Sequence, residues 1–255
     1  MPLRPIDLAR RLVPGLVDRG ARAVTLVGSH ARGDGTRCSD LDLAVLGDGP
    51  AYHLEVHEGV LVAHSWVTAR ELRRRFGDPA HVATAVPGWR EAVVLHDPEG
   101  VAAAIQKEAI GWSWERLGEK CDRWVADSVI GYAEEVQKLV AALAGGQRLT
   151  AAAQRDLLAI RLAPVLAVHH RLLYGSENTV WDLVGTKMGA DWREAQAKAF
   201  ASEGETFAQS CTAALRLFRL AVVAVRPLLD DRQVAVAGQA LALAGTFEQT
   251  RFFSP

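Results

Sequence analysis

One stretch constrains this chain more than any other. The apolar run Ala23-Val24-Thr25-Leu26-Val27 meets Gly28-Ser29, and ten residues later, after His30 to Ser39, the segment Asp40-Leu41-Asp42-Leu43 opens a second apolar run that ends at Leu46. Short aliphatic and β-branched runs bounded by Gly and Ser read as strands. Strand side chains alternate, so Asp40 and Asp42 are expected on one face of a sheet, with Leu41 and Leu43 on the other face and in the core.

Two carboxylates so placed can share a hard cation. Mg²⁺ takes carboxylate oxygens together with water and substrate phosphates. The Gly28-Ser29 turn adds backbone N–H groups and a hydroxyl that a triphosphate can approach, because glycine has no side chain. Arg32 adds a cationic fork for the same phosphates. The order of strand, phosphate-sized turn and acidic strand points to metal-assisted nucleotidyl transfer.

Gly-Ser, ten residues, then Asp-x-Asp resembles the nucleotidyltransferase superfamily of the DNA polymerase β type, and the flanks Ala31-Arg32-Gly33 and Ser39-Asp40-Leu41-Asp42-Leu43 are similar to it as well. The resemblance implies an NTP co-substrate, most often ATP, bound through Gly28, Ser29, Arg32 and Ser39, and Mg²⁺ held by Asp40 and Asp42 as the catalytic pair. It also implies a third carboxylate on the strand after a hairpin. That strand, Val60 to Trp66, contains no acid, and the expected position falls at Ala63 or His64. If His64 faces the metal it is a ligand or a catalytic base with a pKa near neutrality; otherwise it is a half-buried polar residue at the edge of the cleft. Glu55, on the neighbouring strand, is the other candidate, and register decides between them.

The remaining elements follow from periodicity and punctuation. Pro5 to Arg19 has helical spacing and stops at Gly20. Tyr52–His57 and Val60–Val67 read as a hairpin around Glu58-Gly59, Thr68 with Glu71 is a capping box opening a helix to Phe76, and Ala92–Leu95 is a last short strand. After Gly100 only helical periodicity remains, at Trp114–Ala144, Thr150–Tyr174, Val180–Met188, Asp191–Ser202, Glu205–Leu229 and Asp231–Ala244, with Pro164 expected to kink its helix. The expected fold class is α+β. A nucleotidyltransferase domain with a small mixed sheet and helices spans residues 1–105, and an all-helical bundle spans 106–255.

Bulk properties narrow the partners. The chain has 255 residues and is 49% apolar, enough for one large or two modest cores. Its 29 basic and 30 acidic residues nearly balance, and Arg73-Arg74-Arg75 reads as a solvated helix face. A polymerase acting on nucleic acid would be expected to carry a basic stripe, so the expected acceptor is a small molecule. Cys38, Cys121 and Cys211 match no metal-ligand spacing and fit a reducing compartment. Met1 leads into an Arg-containing segment without a hydrophobic signal core, and no run has the length of a membrane span; a cytoplasmic location is expected.

In the second half, Val168-His169-His170-Arg171-Leu172-Leu173-Tyr174 and Asn178-Thr179-Val180-Trp181-Asp182-Leu183-Val184 resemble the C-terminal helical domain of the kanamycin (aminoglycoside) nucleotidyltransferases. The resemblance implies an acceptor cleft between the two domains, an aminoglycoside-like acceptor and a homodimer. In that family a glutamate on the first long bundle helix is the base and a lysine one turn later contacts phosphate. Here those positions carry Gly131 and Glu135. Asp127, Glu134 and Glu135 are the local substitutes, with Glu135 the candidate catalytic base, although Glu134, Glu135 and Lys138 also have the spacing of surface ion pairs. Two other functions fit the same residues: a nucleotide-binding protein that has lost transfer, and a protein-modifying nucleotidyltransferase of the toxin–antitoxin kind.

Overall fold

The computed structural model describes residues 4–202 and 204–252. They divide into two compact units, Met1–Leu117 with Leu173–Ser176, and Gly118–Leu172 with Glu177–Pro255.

The first unit opens with helix α1 (Pro5–Asp18). Pro5 suits the first turn because its fixed φ is helical and its missing N–H would be unpaired there anyway. Then come strand β1 (Ala23–Val27), a short helix α2 (Gly28–Arg32), β2 (Leu41–Leu46), β3 (His53–His57) and β4 (Val60–Val67). Helices α3 (Ala69–Phe76) and α4 (Pro79–Arg90), strand β5 (Val93–His96) and helix α5 (Val101–Ile110) complete it. The strands form one sheet in the order β3-β4-β2-β1-β5. β2 and β4 run parallel and the other neighbours antiparallel, so the sheet is mixed.

Alternation decides what each face does. Leu41, Leu43 and Val45 from β2 join Val62 and Trp66 from β4, and α1 lays Leu8 and Leu16 over them. The opposite parity of β2 carries Asp42. The hairpin at Glu58-Gly59 is tight, with φ of 52° and 79° at the two turn residues, the double left-handed signature of a type I′ turn.

The sequence expectations for α1, the β3–β4 hairpin, the Thr68/Glu71 capping box and β5 agree with these elements within one or two residues. Three features differ, one of them α5, which lies ahead of Trp114, where the first helix after Gly100 is expected. The turn at Gly28-Ser29 tightens into α2. Helix α4 was not expected between Phe76 and Ala92, although its start is marked: Asp78 accepts a hydrogen bond from Ala80 N at 3.1 Å, and Pro79 follows in the first turn.

The second unit has no strand among its described residues. The expected helix Trp114–Ala144 is instead a 3₁₀ turn, α6 (Glu119–Gly131) and α7 (Ala133–Ala144), broken at Tyr132. Helix α8 (Arg148–His169) runs through Pro164 and ends five residues before the expected Tyr174, because Arg171 adopts the left-handed conformation at φ 57°. Helices α9 (Val180–Met188), α10 (Ala190–Ala199), α11 (Phe207–Val225) and α12 (Asp231–Phe252) follow. Leu158, Leu162 and Leu166 of α8, with Trp192 and Phe218, are fully buried and form the centre of the bundle. Among the described residues, no helix is long and apolar enough to cross a membrane.

Leu43 sits on the face that α1 covers, so Leu43→Ala leaves a cavity in the sheet core. An expected loss of about 2–5 kcal/mol in urea unfolding tests this placement.

Candidate functional site

The site is built from one row across the sheet. Asp42 pairs with Val27 on β1 and with Ala63 on β4, and Ala63 pairs with Leu54 on β3. Side chains of directly paired residues point to the same side, so Asp42 shares its face with Ala63 and Leu54. Immediately after Val27 the chain turns at Gly28, whose φ is 71°. A Cβ at Gly28 would overlap Asp42 Oδ2, so glycine is needed here both for the backbone conformation and for the space in front of the carboxylate.

Helix α2 fixes the loop between the strands. The Ser29 carbonyl accepts hydrogen bonds from Gly33 N at 3.0 Å, Asp34 N at 3.1 Å and Gly35 N at 3.1 Å. Gly35 packs against the His30 ring so closely that a Cβ would not fit. Farther along, Ser39 Oγ accepts from Thr36 N at 2.9 Å and closes the turn that delivers Asp40 to the start of β2. Arg32 donates from Nε to Asp34 at 3.1 Å and from Nη1 to the Gly175 carbonyl at 2.8 Å. That tethers its stem beside the loop.

The electrostatics centre on Asp42. Burial raises its pKa, and the neighbouring Asp40 raises it further; His30 and Arg32 pull the other way. Two carboxylates at the end of one strand, the partly buried one held toward its protonated form, with open space where Gly28 lacks a Cβ, are hard oxygen donors that fit a divalent cation such as Mg²⁺. Among the described residues, no group of three or more His, Cys, Asp or Glu side chains is arranged to hold a metal ion. A cation here would rest on two protein carboxylates, with water and phosphate completing its shell.

His64 is not brought to this pair. It is level with Leu43, on the α1 side of the sheet, and it is 1% exposed. Glu55 pairs with Val62 and lies on that same side. Its Oε1 is 2.9 Å from His57 Nε2 and 3.3 Å from His64 Nε2, and its Oε2 is 3.8 Å from His53 Nε2. The close approach of the His57 imidazole is the main cause that lowers the Glu55 pKa, with burial opposing it. The expectation that His64 or Glu55 supplies a third ligand is therefore corrected by the register: a single residue of phase in the pleat sends both away from Asp42, and Ala63 stands in that place.

Glu135 belongs to the helical unit, on α7, where Lys138 Nζ lies 3.3 Å from Glu135 Oε1 and 3.3 Å from Glu134 Oε2. Asp127 accepts from Gln233 Nε2 at 2.9 Å, joining α6 to α12. The His169-His170 pair packs edge to face at 4.6 Å between ring centres. His170 Nε2 is 3.1 Å from Met188 Sδ, and burial with the neighbouring His169 pushes the His170 pKa down to about 4. Arg171 holds Asp122 of α6 at 2.5 Å. His169, His170 and Arg171 of the pattern read in the sequence as family-like thus pack the helices of the second unit, whereas Tyr174 belongs to the first unit, its N–H donating to the Ala83 carbonyl of α4 at 2.9 Å. His30 is the residue that sequence reasoning passed over; its signal was its position inside the Gly-Ser motif, one residue from the turn.

Residues 10–78 match the family model described as a nucleotidyltransferase domain. This segment is similar to a nucleotidyltransferase domain. It runs from within α1 to the residue that caps α4 and contains Gly28, Asp40 and Asp42. A nucleotidyltransferase-like protein from Exiguobacterium sibiricum 255-15, known from its crystal structure, is similar to this chain with a TM-score of 0.50 and 17% identity, over 92% of this chain and 78% of its own. At that identity the likeness is one of fold. No curated protein matches the sequence.

Two outcomes are expected from this geometry. Gly28→Ala meets both a left-handed backbone and the Asp42 carboxylate, and should lower unfolding stability by about 1–2 kcal/mol. For His64, burial is the main cause that lowers the pKa, Glu55 opposing it. The folded value then lies below the unfolded one near about 6.5, so the stabilisation is complete above that pH and is lost as pH falls below it. His64→Leu should flatten part of the decline in urea midpoint between pH 7 and 5, leaving the share carried by His169 and His170.

Proposed function

We propose that the protein transfers a nucleoside monophosphate from an NTP, ATP in the first instance, to a hydroxyl of a small molecule, releasing pyrophosphate. The observation that carries this reading is the juxtaposition of Gly28 and Asp42, in which a glycine leaves space directly in front of one carboxylate of a pair. The match of residues 10–78 to the nucleotidyltransferase domain supports it.

In this reading Asp40 and Asp42 hold Mg²⁺. The cation would supply charge neutralisation to the attacking and leaving oxygens of an in-line displacement. Gly28 lets the phosphates approach the backbone, and Ser29 offers them its hydroxyl. Arg32 and His30 contribute positive potential opposite Asp42, in the direction already visible in their effect on its proton affinity. Ser39 closes the turn that precedes Asp40 and so holds that carboxylate beside the metal site, its hydroxyl being the candidate for a further phosphate contact. The acceptor oxygen attacks the α-phosphorus and pyrophosphate leaves. Positioning and charge neutralisation dominate such a displacement, so a strong general base is not required. The resemblance of the second half makes an aminoglycoside the first acceptor to try.

A second reading, nucleotide binding without transfer, is favoured by Ala63 standing beside Asp42 where the family resemblance implies a third acid. The two are separable. The double variant Asp40→Asn/Asp42→Asn should keep the far-ultraviolet circular dichroism of the parent and lose Mg²⁺-dependent ATP binding in calorimetry; unchanged affinity in the folded variant would sink both readings. Mass spectrometry of Mg·ATP reactions with aminoglycosides, lincosamides and nucleosides should show an adduct of one nucleoside monophosphate. Binding without any pyrophosphate release over hours would leave the second reading standing alone.

A further inference from the structure

The face that carries Asp42 continues across β4 to the edge strand β3, and its character there is apolar. Ala63 is next to Asp42, and Leu54 is next to Ala63, about 10 Å from Asp42 at the usual strand spacing. Leu61 precedes Val62, the partner of Leu41, and so is level with Asp40; Leu61 in turn pairs with Val56. Leu54, Val56 and Leu61 are 45%, 66% and 42% exposed, respectively. The charged residues of β3, His53, Glu55 and His57, all take the other parity and gather around His64.

Two rows therefore leave the carboxylate pair and run to the sheet edge without a charge. Single exposed apolar residues are ordinary, but three on adjacent strands in register with a polar site form a continuous surface. A polycation would find no acid on it beyond Asp40 and Asp42, and in the transfer reading both of those would be taken up by the metal. What this surface complements is an uncharged body with hydrogen-bonding groups toward the aspartates and hydrocarbon toward Leu61 and Leu54.

We propose that Leu54, Val56 and Leu61, with the buried Ala63 lying between Leu54 and Asp42, form an acceptor shelf, and that the acceptor of the transfer is an uncharged hydroxylated compound with an apolar flank. This rests on the nucleotidyl-transfer reading, and it narrows the acceptor away from a polycationic sugar. The shelf orients the compound by burying its hydrocarbon side, which leaves a hydroxyl directed at the carboxylate pair. The reaction itself is unchanged: the hydroxyl oxygen gains the bond to the α-phosphorus, pyrophosphate departs with its bridging electrons, and the hydroxyl proton goes to solvent.

The test uses the full chain with methyl, butyl and hexyl β-glucoside as probes, each with and without Mg·ATP. Affinity should rise up to about fourfold per added methylene, as expected for hydrocarbon leaving water. The methyl resonances of Leu54, Val56 and Leu61 in ¹³C-methyl spectra should shift saturably with hexyl glucoside. The variant Leu54→Asn/Leu61→Asn, altered only at exposed positions, should keep its melting temperature and Mg·ATP affinity and lose the dependence on chain length. Affinity independent of chain length, an unaltered dependence in the variant, or tighter binding of kanamycin than of hexyl glucoside would each overturn the shelf. Mg·ATP affinity of the parent is read separately, so failure of nucleotide binding counts against the transfer reading, whereas the glucoside series counts for or against the shelf.

Discussion

The pleat of the β2–β4 pair is the constraint from which the rest of the first unit follows. These two strands are parallel neighbours, so every residue of one is bound in phase to a residue of the other. One phase puts Leu41, Leu43, Val45, Val62 and Trp66 under α1. The other puts Asp42 and Ala63 on the side where Gly28 leaves room. The hydrophobic demand of α1 therefore fixes where the carboxylates point; a strand cannot bury Leu43 and turn Asp42 inward as well. Core packing and site geometry are set by the same alternation.

Against that pattern, much of the site was legible in the sequence. Strand alternation is local, so the core side of Leu41 and Leu43 and the opposite face of Asp42 could be read from spacing, whereas the close approach of Gly28 to Asp42 could not. The fate of His64 could not. Whether a histidine on β4 meets Asp42 or Leu43 depends on the pairing of strands separated in sequence, and a shift of one residue reverses the answer. The same holds for Glu55, where apolar and charged residues alternate along an exposed strand and either face is plausible without the partner. Helix α4 escaped for a different reason: its Ala-, Gly- and Pro-rich sequence has weak amphipathic contrast, and its Asp78-Pro79 start was the one clear signal. The break at Tyr132 follows directly on Gly131, a weak helix former whose signal is local, whereas the left-handed Arg171 carries no such mark.

The histidines illustrate how chemistry-bearing residues can be absorbed by structure. His64 lies in the sheet interior, where neither ring nitrogen makes a hydrogen bond of good geometry, and a single carboxylate faces it. His169 and His170 are held toward their neutral forms by burial, His170 beside a methionine sulfur. Buried imidazoles of this kind make both units sensitive to acid without taking part in phosphate chemistry. Residue type alone would assign them to a reaction, whereas their surroundings assign them to packing.

The two-residue turn at Glu58-Gly59 has an evolutionary side. It is the sole connection between β3 and β4, and its length sets which half of β3 looks toward the aspartates. A lineage that gained one codon there would slide β3 by one place, exchanging a hydrocarbon border for one of histidines and glutamate while leaving every residue of the Gly-Ser and Asp-x-Asp motifs untouched. A single small insertion, without any substitution in the motifs themselves, is enough to give a protein of this architecture a border of entirely different polarity.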